Sequence, residues 1–174
     1  MLRSPNLAHA LTLRLQRRPP EAQAGATRIV LLGVGSDLRS DDGVGVAVAD
    51  RVSRLGLAGV VTINGGTAPE NATADVRKAA PTHLLIVDSA DMGETPGTIR
   101  LIEPDEIGGI SFGTHSLPLS VLAGYLSTET GCSVIVVGIQ PRSIEFGEAL
   151  SAEASRAADE AAAAIAEAVG AAVR

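Results

Sequence analysis

Three short segments of this 174-residue chain hold the residue types that acid–base or metal chemistry needs. Two are acidic: the adjacent pair Asp41 and Asp42 within GVGSDLRSDDGVG, and Asp88 within HLLIVDSADMG. The third is His115 within GTHSLPL. Two carboxylates and one imidazole suit a divalent first-row metal such as zinc or nickel, with positions left for water or substrate. The rest of the inventory narrows the choice. One cysteine excludes a thiolate zinc site, an iron–sulfur cluster held by this chain alone and a disulfide framework. Three histidines leave little room for an all-imidazole cage. Of these, His9 sits in the N-terminal segment, and His83 opens an apolar run with no acidic neighbour in the sequence. Cys132 reads as a small buried residue. Any metal site must therefore rest on carboxylates, and Asp42, Asp88 and His115 are the set that could build one.

Each of these residues also has a plainer use. An acid in the first turn of a helix bonds free N–H groups and favours the helix dipole. One of Asp41 and Asp42 can do that, and the other is then to spare. Asp88-Ser89 can close a loop, and Asp91 reads as a turn residue. A Ser-His-Asp triad is disfavoured because no G-x-S-x-G elbow is present. Gly33-Val34-Gly35 invites a dinucleotide reading, but Leu38 stands where the fingerprint needs its third glycine. The aspartates that follow would also repel a pyrophosphate.

The elements that must position these residues alternate. Apolar runs at Arg28 to Val34, Val60 to Ile63, His83 to Val87, Thr98 to Ile102 and Ser133 to Ile139 read as strands. Helical spacing or composition marks Asp41 to Leu55, Glu70 to Ala80, Leu117 to Ser127 and the Ala-rich stretch Ala149 to Val169, with Ser116 a credible cap for the third. Strands separated by helices imply an α/β fold: a three-layer sandwich with a mostly parallel central sheet of about five strands. In such sheets ligands bind at the carboxyl ends of the strands, where Asp41, Asp42 and Asp88 fall.

Residues 1–26 read as a basic N-terminal extension, with four arginines against one acid, and residues 27–174 as a single domain. Leu7, Leu11, Leu13 and Leu15 could line a short helix that Pro19 and Pro20 close, so the extension is expected to be a flexible tail or a docking segment. The net charge of -6, the absence of Trp, and only one Tyr and two Phe argue against nucleic-acid binding. No apolar run is long enough to cross a membrane. Arg14, Gln16, Arg17 and Arg18 interrupt any secretory leader, so a cytoplasmic protein is expected. A monomer is expected as well.

Five segments in order, GVGSDLRSDDGVG, GGTAPEN, LLIVDSADMG, GTHSLPL and VVGIQP, resemble the hydrogenase maturation endopeptidases, the hydrogenase 3 type in particular. The resemblance runs from about Arg28 to about Gly147. It implies an endopeptidase that removes the C-terminal extension of a nickel–iron hydrogenase large-subunit precursor after nickel insertion. It also implies that the family's metal-contacting positions fall on Asp42, Asp88 and His115. The nickel would come with the precursor, whose cysteines hold it, while zinc or cadmium could occupy the site in the isolated protein. Asp41 is a candidate helper, as a capping group or a proton acceptor. The metal could serve recognition, placing the scissile bond, or could activate water. A non-enzymatic metal-binding chaperone on the same fold is the alternative.

Overall fold

The structure, a computed structural model, describes residues 4–19, 26–112, 117–147 and 149–173. Runs of Val, Ile and Leu that are apolar on both faces can only be buried between two helical layers, and the sheet is built from them. β1 (Ile29–Val34), β2 (Val60–Gly66), β3 (His83–Asp91) and β6 (Ser133–Ile139) are parallel. β4 (Ile99–Ile102) lies antiparallel at one edge, giving the order β2-β1-β3-β6-β4. A short strand not foreseen from periodicity, β5 (Ser111–Phe112), pairs antiparallel with the far end of β3.

The helices are α1 (Ser4–Gln16), α2 (Val44–Arg54), α3 (Thr73–Ala79), α4 (Leu119–Thr130) and α5 (Ala152–Ala172). Leu85 and Val87 of β3 join the core shared with α1, α2 and α5, while Leu84 and Ile86 join the core under α3 and α4. The three-layer reading holds. Two helix starts differ from expectation. α2 is preceded by a 3-10 turn, Ser40–Gly43, which contains both aspartates. α4 is capped at Pro118 rather than at Ser116, which lies outside the described residues.

The N-terminal segment departs from the flexible tail. α1 carries Leu7, Leu11 and Leu15 on one stripe at four-residue spacing, and all three are buried. Leu13, off the stripe, is exposed. The cover comes from α5, whose alanines present a face flat enough for a leucine-bearing helix to lie against. Arg14 pairs with Glu103, and the Arg17 carbonyl accepts from His83 Nε2 at 3.3 Å. Burying three leucines contributes about 2 kcal/mol each, enough to hold a helix that is too short to persist alone in water.

No helix among the described residues is long and apolar enough to cross a membrane.

Candidate active site

The chain runs from β1 outward to β2, then returns to the other side of β1 for β3. The strand order therefore reverses between the carboxyl ends of β1 and β3, which is where open α/β sheets place their ligands. Asp42 follows β1 and Asp88 lies near the end of β3, so the two flank this switch point.

The turn that delivers Asp42 depends on glycine. Gly35 has φ +128°, and a Cβ there would lie 1.7 Å from the Asp42 carbonyl oxygen. Only glycine lets the chain leave β1 and fold back so closely. A Cβ on Gly45 would meet the carbonyl oxygens of Val87 and Val34 at 2.1 and 2.4 Å, so the first turn of α2 can rest on the ends of β1 and β3.

Asp42 is fully buried. Its Oδ2 accepts from the Ser36 N–H at 3.0 Å and its Oδ1 from the Ser89 hydroxyl at 3.1 Å. Both donors are neutral, so they orient the carboxylate and leave further lone pairs available. Asp88 is also fully buried and pairs in register with Gly138 of β6. Strand alternation sets Ser89 on the α2 face, towards Asp42, and Asp88 on the face covered by α4. The segment before α4 contains His115, which lies outside the described residues together with Thr114 and Ser116. Among the described residues, no three His, Cys, Asp or Glu side chains gather into a group that could hold a metal.

Asp41 is turned to a different task from its neighbour. Its Oδ1 accepts from the Ser151 N–H at 2.6 Å, and its Oδ2 from the Ser151 hydroxyl at 2.8 Å and the Arg142 N–H at 2.7 Å. The Ser151 hydroxyl in turn accepts from the Ala154 N–H and caps α5. Asp41 is thus a capping group, but for the N-terminus of α5 rather than for its own helix. Neither the 3-10 turn nor α2 has a side-chain cap.

Gln140, which the sequence reading did not single out, closes the other side of the edge. Its Oε1 accepts from the N–H groups of Met92 and Glu94, and its Nε2 donates to Asp91 Oδ1. Its position just past β6 was the available signal, since the same carboxyl-edge rule that selects Asp88 also selects it. Asp91, expected in a turn, is instead the last residue of β3, where β5 extends the pairing, and its carboxylate accepts from the Gly93 N–H beyond it. Asn64-Gly65-Gly66 borders the site: the Gly66 carbonyl accepts from the Gly35 N–H at 2.9 Å. The remaining candidates are structural. His9 is exposed and His83 buried. Cys132 is buried, and burial pushes its thiol above the ordinary range.

Comparison with known proteins identifies the family. The family described as "Hydrogenase maturation protease" matches residues 46–168, more than half of the chain. The chain belongs to this family of maturation proteases. The hydrogenase 3 maturation protease of Escherichia coli K12 is 43% identical over 118 residues, covering 67% of this chain and 75% of that one. The crystal structure of a nickel–iron hydrogenase maturation protease from Thermococcus kodakarensis superposes with a TM-score of 0.76 at 32% identity, covering 86% of this chain and 97% of that one. A crystal structure of a hydrogenase 3 maturation protease gives a TM-score of 0.69 at 39% identity, covering 77% and 86%. In this protease Asp88 and His115 fall within the span matched to the family, while Asp41 and Asp42 lie just before it.

Proposed function

We propose that this protease removes a short C-terminal extension from the large-subunit precursor of a nickel–iron hydrogenase once nickel is in place, and that Asp42, Asp88 and His115 contact that nickel. The observation that carries the reading is the complete burial of Asp42 and Asp88 at the switch point of the sheet. Two carboxylates buried at one ligand-binding edge concentrate negative charge there, which suits an incoming cation. The relatives support the choice of substrate: one is named for hydrogenase 3 and another for a nickel–iron hydrogenase.

The metal here is part of the substrate. The Ser36 N–H and the Ser89 hydroxyl fix the Asp42 carboxylate before the precursor arrives, so little side-chain ordering remains to be done on binding. Holding the precursor by its metal brings the adjoining peptide bond to the same edge, and orientation of this kind lowers a barrier by several kcal/mol. The metal can also polarise the scissile carbonyl or its attacking water. Recognition explains why cleavage waits for nickel, since a precursor lacking it offers these carboxylates no cation.

The test is to incubate the purified protease with nickel-loaded and nickel-free precursor and to weigh both products by mass spectrometry. The expected result is loss of the C-terminal extension from the loaded precursor alone. Equal cleavage of both would overturn nickel recognition, and cleavage of neither would overturn the substrate.

A further inference from the structure

We propose that Leu38, Arg39 and Phe146 form a docking ledge on which the protease seats an apolar side chain of its protein substrate, beside the buried carboxylates. This rests on the reading above that the substrate is a hydrogenase precursor.

The chain has no Trp, one Tyr and two Phe, yet Phe146 is 80% exposed and the nearby Leu38 is 64% exposed. Single exposed apolar residues are ordinary, but two on neighbouring, hydrogen-bonded backbone segments beside a ligand-binding edge mark a contact surface. The backbone joins them. The Gly147 N–H donates to the Leu38 carbonyl at 3.1 Å, and the Ser40 N–H donates to the Gly147 carbonyl at 3.0 Å, forming a parallel bridge between Arg39 and Gly147. The Arg39 guanidinium carbon lies 5.0 Å from the Phe146 ring centroid, while its Nε donates to the Ile144 carbonyl. One cation therefore braces the aromatic ring and the loop that carries it.

Hydrogen bonds tie the ledge to the sequence pair Asp41-Asp42. Asp41 accepts from Arg142 and Ser151, and its N–H donates to the Ser143 carbonyl. Asp42, the next residue, takes the Ser36 N–H, and the Leu38 N–H bonds the Ser36 hydroxyl. Hydrogen bonds thus link the backbone of the exposed leucine and phenylalanine to Asp42. A protease must take a polypeptide at its site, so the occupant of an exposed surface beside Asp42 is the polypeptide itself. Aromatic residues and arginine, both present on the ledge, are the residue types enriched at such contacts.

The test uses the full-length protease and nickel-loaded precursor. Phe146→Ser and Leu38→Ser are compared with Leu55→Ser, which removes another exposed leucine, just past the far end of α2. Phe146→Ser should raise KM about tenfold with kcat little changed, Leu38→Ser should raise it less, and Leu55→Ser should leave both constants alone. Affinity for the nickel-free precursor, which the protease is expected to leave uncut, should weaken in parallel when the same variants are titrated with it. Unchanged KM and affinity in both ledge variants would overturn the ledge while leaving the substrate assignment intact. A wild-type protease that neither binds nor cuts the precursor would bring down both. If sedimentation instead shows a wild-type dimer that Phe146→Ser dissolves, the occupant is a second copy of the chain and the proposal is wrong.

Discussion

At the amino ends of β1 and β3, Arg28, Thr82 and His83 bond to one another and to the backbone. The Thr82 hydroxyl lies between the Arg28 N–H and carbonyl, and the Arg28 Nε reaches the Ala80 carbonyl. His83 Nε2 reaches Arg17 just past α1. At the carboxyl ends of the same strands, Ser36, Asp42, Asp88 and Ser89 are also buried. Burial of polar groups therefore does not by itself distinguish a site from a seam. The difference lies in the sign of the charge and in cover. The amino end uses a hydroxyl, an imidazole, peptide groups and the half-buried Arg28 guanidinium, and α1 is tied across it. The carboxyl end places two carboxylates where the strand order reverses, with glycines that bring the loops close. The first end fastens the domain, and the second is arranged to receive something.

That contrast can be broken by substitution at either end. Asp88→Asn or Asp42→Asn should lower precursor processing by roughly 10²–10³-fold, the scale seen when a group facing developing charge is lost. The far-ultraviolet circular dichroism spectrum should stay unchanged. Leu11→Ala, in the α1 seam, should do the reverse: about 3 kcal/mol of stability lost in urea unfolding, with processing per folded molecule preserved. A stable Leu11→Ala protein would mean that α1 contributes little to the fold.

Asp41→Ala separates the adjacent aspartates. It removes three hydrogen bonds from Arg142 and Ser151, the cap of α5, and should cost about 2 kcal/mol in thermal or urea unfolding. Full stability in this variant would show that the clamp is not needed.

The smallest effect is that of pH on the seam. Burial pushes the His83 pKa below its ordinary 6.5, against the opposing bond to the Arg17 carbonyl. The unfolded chain then takes up a proton at a higher pH than the folded one does. Stability from this group is present above about pH 6.5 and is lost as pH falls towards the folded value. The fall in Tm from about pH 7.5 to 5.5 should be steeper in the wild type than in His83→Gln. Equal falls would remove His83 from the account.

Much of this arrangement was legible in the residues. Apolar runs such as RIVLLGV and SVIVVGI announce buried parallel strands, and the acids that follow β1 and close β3 then fall at the ligand-binding edge by rule. What could not be read depends on partners far away in sequence. Whether the Leu7, Leu11 and Leu15 stripe is covered turns on the alanine face of α5, some 150 residues on. Which of Asp41 and Asp42 caps and which faces the site turns on Ser151 and Arg142, about 100 residues beyond the pair. Neither is encoded in local spacing. His115 was legible as a candidate from its loop position, but it lies outside the described residues, so its meeting with the aspartates rests on the proposal above.

The central claim is that the two buried carboxylates form the working site of a maturation protease. Intact-mass spectrometry of nickel-loaded precursor after incubation with wild-type, Asp42→Asn or Asp88→Asn protease tests it most directly. The account predicts a precursor shortened at its C-terminus with the wild type and left at full length with both variants. Shortening at the wild-type rate by both variants would contradict it.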